Sequence, residues 1–202
     1  MITDTAGNQC SDAFGQLMLD GAREIIGQAG VNAVLNRALV FHQQGAKDTK
    51  GGVGAVDIQS ALEELYGLRG GRGVALRAGR ASFEQFLRMQ GKDMGLMELN
   101  FRMLPSQARL YVGLQLLAQK MSELSTHIVN VEDHPDSWHW KIEKDTQTGK
   151  GCLARGICHF MVGFLQEYLM WASGGKYHHV QEVENGLDDR QTCLIHLEKG
   201  GV

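Results

Sequence analysis

The feature that most constrains this chain is a change of hydrophobic period at Thr126. Before it, apolar residues recur at helical spacing; after it, they alternate as in strands. Phe14, Leu17, Met18, Gly21 and Ile25 trace a first helix that Ser11 is placed to cap, and Val31, Val34, Leu35, Ala38 and Leu39 extend or restart the pattern after Gly30. Residues 43–54, with Gly45, Gly51, Gly52 and Gly54, read as a loop. Ile58, Leu62, Leu65 and Tyr66 mark another helix, and the glycines from Gly67 to Gly73 read as a helix–helix connector. That cluster is not a phosphate loop, since no Lys-Ser/Thr pair opens a helix after it and no strand signal precedes it. Residues 74–90 look helical, and 94–102 form a shorter helix. Pro105 suits the first turn of a long helix whose stripe is Leu110, Leu114, Leu117, Ala118, Met121 and Leu124.

Beyond Thr126, residues 127–132 read as a strand and His134-Pro135-Asp136-Ser137 as a turn. Trp138, Trp140 and Ile142 then alternate with His139, Lys141 and Glu143, so both indoles share one sheet face. After a polar loop at 145–151, residues 153–172 form an apolar helix that Gly174 and Gly175 stop. Residues 177–184 and 191–198 make a final strand pair, joined by turn chemistry at 185–190. N-terminal helices followed by strand–strand–helix–strand–strand predict an α+β fold, with the helices packed on a C-terminal antiparallel sheet. The chain of 202 residues reads as a single domain over 1–202, with residues 1–54 as an N-terminal helical extension and 55–200 as its core.

Composition narrows the function classes. Lys and Arg number 20 against 23 Asp and Glu, a formal charge of -3, so no broad basic field invites nucleic acid. Arg69, Arg72, Arg77 and Arg80 read as a solvated face, with an anion site as the alternative. No apolar run approaches the roughly 20 residues of a membrane span, and residues 1–9 lack signal-peptide character, which predicts a soluble cytoplasmic protein. In that compartment Cys10, Cys152, Cys158 and Cys193 are expected as thiols or metal ligands rather than disulfides.

The segment from Cys158 to Leu197 carries a recognisable constellation. Cys158 sits on a helix that continues through Gly163-Phe164-Leu165; Gly174-Gly175 follows, a strand carries Glu182, and Cys193 opens the last strand. This arrangement resembles the 4-vinyl reductase (4VR) domain family, and Ala75-Leu76-Arg77-Ala78-Gly79-Arg80 is similar to its helical part. The family pattern has a further Cys where this chain has Asn185. The resemblance implies a fold with a cavity for apolar or aromatic ligands, including a tetrapyrrole or chlorophyll precursor. In the family's sensing branch it also implies a zinc held by residues at Cys158, Glu182, Asn185 and Cys193. On ligand chemistry alone, Cys158, Glu182 and Cys193 supply three zinc donors, and His159, His179 or water completes the shell; Asn185 is a poor thiolate replacement. The alternative is that Cys158 and Cys193 are small buried apolar residues.

Seven of the eight histidines follow Leu124, namely His127, His134, His139, His159, His178, His179 and His196, a concentration compatible with metal, haem or acid–base work. Tyr111, Trp138, Trp140 and Phe164 are the candidate pocket aromatics. The leading expectation is a domain that binds an apolar small molecule. The alternatives are a vinyl-reducing enzyme of bacteriochlorophyll synthesis and a ligand-free homodimeric scaffold. No nicotinamide or flavin fingerprint and no nucleophile–base pair stands out, so no catalytic residue is assigned.

Overall fold

The computed structural model describes residues 13–45, 53–125, 127–144, 155–183 and 192–201. Helices come first: α1 (Ala13–Gly45), α2 (Ala55–Gln90), α3 (Leu99–Arg102) and α4 (Ser106–Leu124). There follow β1 (His127–Asp133), β2 (Ser137–Lys144), α5 (Arg155–Ser173), β3 (His178–Glu182) and β4 (Thr192–Gly201). The strands form one antiparallel sheet in the order β1-β2-β4-β3. The fold is α+β, with α1–α4 ahead of the sheet in the chain and α5 between β2 and β3.

Each element follows from its residues. The α4 stripe of Leu110, Leu114, Leu117, Ala118 and Met121 is buried. Pro105 stands at the N-cap (φ -52°, ψ 145°), one residue before the predicted first turn, where its missing N–H leaves nothing unsatisfied. On β2 the alternation puts Trp138, Trp140 and Ile142 on the core face. Ile195 and Leu197 of β4, Val180 of β3 and Val129 of β1 join them against α4 and α5. Helix α5 ends as the glycines predict: Gly174 and Gly175 take φ of 81° and 99°, and the Gly175 N–H donates to the Met170 carbonyl at 2.8 Å.

Three sequence expectations are corrected. The break in α1 falls at Gly27 (φ 68°, ψ 175°), not after Gly30. The glycine cluster is no connector: α2 runs through it, and only Gly67 leaves helical geometry (φ 74°, ψ 160°). Helical hydrogen bonding resumes at once because the leucine and alanine stripe on either side packs on the same neighbours. The predicted helix over 94–102 shrinks to α3, because Gly95 turns the chain at φ 75°. Ser11, Asn185 and the loops 145–151 and 185–190 lie outside the described residues.

Helix α1 packs along α2, and α2 along α5. The second crossing is close because it is made of glycine: a Cβ on Gly79 would collide with the Phe160 carbonyl, and one on Gly163 with the Leu76 carbonyl. Aromatic edges fill the space around that crossing. Phe83 and Phe86 meet Phe164 edge-on at 5.4 and 5.2 Å between centroids, and Phe14 of α1 meets Phe160 at 5.5 Å. Val31, Val34 and Ala38 of α1 are completely buried, so α1 belongs to the same core as the helices and sheet beyond residue 55.

Candidate functional site

The described ends of α1, α4, β1, β2 and α5 converge on a small apolar cavity. Phe14, Met121, Val129, Trp140, Ile142, Ile157 and Met161 line it, with Ser125 and His127 as its polar wall. Its open volume is about 10 Å³, room for about one water. The Ser125 hydroxyl is already engaged, donating to the Met121 carbonyl at 2.8 Å and accepting from the His127 N–H at 3.3 Å. Trp140 is different. Its indole is fully buried, and its Nε1–H has no hydrogen-bond partner among the described residues. An unpaired buried donor costs about 1–3 kcal/mol, so this N–H is a standing demand for an acceptor.

Of the four candidate aromatics, Trp140 lines the cavity. Trp138 is buried beside it in the sheet and stacks on half-buried Tyr111 at 6.5 Å between centroids. Phe164 is spent in the α2–α5 aromatic contact. The rest of the lining is apolar apart from Ser125 and His127 and comes from five elements, a combination that no local motif announces. Tyr168, near the centre of α5, donates its hydroxyl to the Leu110 carbonyl at 2.8 Å. Burial pushes its pKa far up, against a smaller opposing pull from Arg109, so it serves as a fixed donor.

The residues proposed for zinc are partly brought together. Cys158 in the first turns of α5 and Cys193 on β4 are joined as a disulfide. This corrects the sequence expectation for these two cysteines, thiols or metal ligands: the structure pairs them with each other. His159 Nδ1 lies 3.5 Å from Glu182 Oε2 on the same side of α5. His179 faces elsewhere, with Nδ1 3.5 Å from Glu198 Oε1. Buried His178 meets the Glu198 carbonyl through Nδ1 at 3.0 Å.

The arginines behave as a solvated face. Arg72 pairs with Glu63 at 3.8 Å, and Arg80 donates to Gln166 Oε1 at 2.6 Å. On the outer sheet face, His139 of β2 has a lowered pKa: partial burial contributes most, then the neighbouring His134 and His196, against an opposing pull from Glu132. No helix among the described residues is long and apolar enough to cross a membrane.

Comparison with known proteins places the fold. No family model matches this chain, and no curated protein matches it. Among solved structures it is similar to H-NOX domains. A variant of the Tt H-NOX domain aligns with a TM-score of 0.55 at 12% identity, over 95% of this chain and 96% of that one. The unliganded Fe(II) H-NOX protein of K. algicida aligns at 0.52 and 12%, over 93% and 95%. A third, solved to probe haem distortion in the H-NOX family, aligns at 0.52 and 14%, over 95% and 96%. These likenesses show the fold.

They also overturn the 4-vinyl reductase resemblance. The solved structures this chain resembles are H-NOX domains, and no 4-vinyl reductase family model matches the chain. The vinyl-reducing enzyme reading loses its support with the resemblance.

Proposed function

We propose that this chain is a small-molecule-binding domain of sensing type, and that its ligand is an apolar molecule carrying one hydrogen-bond acceptor. The observation that supports this reading is Trp140, a lining residue of a mostly apolar cavity whose buried Nε1–H has no hydrogen-bond partner among the described residues. An apolar pocket with one or two polar groups is the usual form of a small-ligand site. The cavity is small and partly open, and Met121 and Met161 form part of its wall, where methionine side chains rearrange at low cost. Ligand entry displaces them, and the displacement is felt by α4 and α5, which carry them. That is how occupancy of the cavity becomes a change in helix packing.

The H-NOX neighbours include haem proteins, which makes haem the first group to test for fit. As packed here, the cavity offers about 10 Å³, so any organic ligand must displace its walls, and a macrocycle that needs several hundred Å³ would demand the largest displacement. A tetrapyrrole would have to part Phe14 and Met161 from the sheet. The reading therefore favours a smaller ligand.

The test compares three probes on the full chain: cyclohexanone, cyclohexane and haem. Cyclohexanone should shift the Trp140 indole N–H resonance and bind more tightly than cyclohexane, since only the ketone accepts that hydrogen bond. A stoichiometric Soret band on adding haem, with no response to cyclohexanone, would replace this reading with haem binding.

A further inference from the structure

The sheet has a second face, turned away from the cavity, and its register assembles a group that the proposed ligand site does not use. Glu132 on β1 is directly opposite His139 on β2, and His139 is directly opposite His196 on β4. Residues in one such row project on the same side, so three strands deliver a carboxylate and two imidazoles in line. The turn after β1 adds a third imidazole. His134 Nε2 lies 3.5 Å from Glu132 Oε2, and its ring centroid lies 4.1 Å from that of His139. The His196 ring follows at 5.4 Å from His139. One potential ligand atom from each of Glu132, His134 and His139 falls within 4.8 Å of the others. His196 Nδ1 is buried and has no hydrogen-bond partner among the described residues.

We propose that Glu132, His134, His139 and His196 form a binding site for a divalent transition-metal ion of the zinc type. Three imidazoles and one carboxylate are a donor set suited to zinc, copper or nickel rather than to calcium or magnesium. Bound at about 2.0–2.2 Å in a tetrahedron, such donors stand roughly 3.4 Å apart. Glu132, His134 and His139 already lie within 4.8 Å of one another, and the strand pairing of His139 with His196 holds the fourth donor beside them, so side-chain rotation would have to bring His196 in. The surrounding charge permits it. Lys141 on β2 is held by Glu143 at 2.8 Å, and Lys199, whose ammonium donates to the His134 carbonyl, is held by Asp133 at 2.7 Å and sits over the Trp138 ring. His196 also lines an open groove of about 670 Å³, which supplies a path of entry from solvent. The ion would tie the edge strand β1 to β2 and β4.

The experiment uses the full chain and ZnCl₂ alone, followed by calorimetry and native mass spectrometry. One zinc per chain is expected. His139→Gln should lower the affinity at least tenfold, while Glu182→Gln leaves it unchanged. Because a variant can misfold, zinc is also titrated into the wild type under NMR, where the His139 and His196 ring signals should move together before any other. Cobalt substitution gives a further readout: an absorption pattern of nitrogen and oxygen ligation is expected, without the near-ultraviolet thiolate charge-transfer band. Absence of zinc binding overturns the proposal. So does binding that survives His139→Gln, is lost on Glu182→Gln, or shows cobalt–thiolate absorption.

Discussion

Tyr168 of α5 lies against Gly113 of α4, and its hydroxyl donates to the Leu110 carbonyl 2.8 Å away. Side chain and missing side chain are complementary: a Cβ at 113 would occupy the space of the phenol oxygen. Tyr168→Phe should cost about 1 kcal/mol through the lost hydrogen bond, and Gly113→Ala about 1–3 kcal/mol through overpacking. Denaturant unfolding of the double variant should show less than the sum, since removing the hydroxyl makes room for the new methyl. Strict additivity would mean that the two residues do not interlock.

Glycines along α2 should respond with opposite signs. Gly79→Ala drives a methyl into the Phe160 carbonyl, which is backbone and cannot give, so a loss of about 1–3 kcal/mol is expected. Gly73 sits in the same helix with open space where its Cβ would be. Gly73→Ala should raise stability by up to about 1 kcal/mol from helix propensity alone. Thermal melts of the two variants check both signs, and equal effects would contradict the close crossing of α2 and α5.

Gly67 breaks α2 at φ 74° and ψ 160°, a region that side chains avoid. Gly67→Ala has nothing to collide with, yet it should destabilise by about 1–3 kcal/mol from backbone strain. A neutral result in the same melting assay would show that α2 passes straight through this position.

Met161 lines the apolar cavity and is buried. Met161→Ala should cost about 2–5 kcal/mol and enlarge the cavity. Addition of benzene should then recover part of the melting temperature, because a dry apolar void accepts such a probe. Recovery no larger than in the wild type would place Met161 away from the ligand space.

His139 should titrate below its ordinary value of 6.5, which an NMR titration of its ring reads directly. Its causes are partial burial first, then His134 and His196, with Glu132 opposing. A histidine depressed in the folded state binds fewer protons there than when unfolded. Its contribution to stability is therefore complete above the unfolded value and is lost as pH falls through the lowered one. His196→Gln should move the titration back up, and no movement would remove His196 from the neighbourhood.

The layout of the chain could be read in advance wherever one period held over several turns. The α4 stripe and the alternation from Trp138 to Ile142 predicted both element and buried face, because burial there is a local consequence of spacing. The glycine run from 67 to 73 misled, since helix propensity is weak beside the packing available to the flanking residues. A cavity was expected and Trp140 was among its candidate aromatics, but the rest of its lining was not legible. Phe14, Val129 and Ile157 become neighbours only through tertiary contact, and none is unusual on its own strand or helix. The histidine concentration was visible, but strand register was not. Only the pairing of Glu132 with His139, and of His139 with His196, turns four scattered positions into one group.

The strand order has a consequence for synthesis on the ribosome. β4 is the latest strand in the chain, yet it lies between β2 and β3. When β3 emerges it has no strand to pair with, and α5 emerges with its apolar face uncovered on the sheet side. Only the β1–β2 hairpin can form early. Closure of the sheet thus waits for residues 192–201, and a stall shortly before residue 192 would leave β2 and β3 without the strand that joins them.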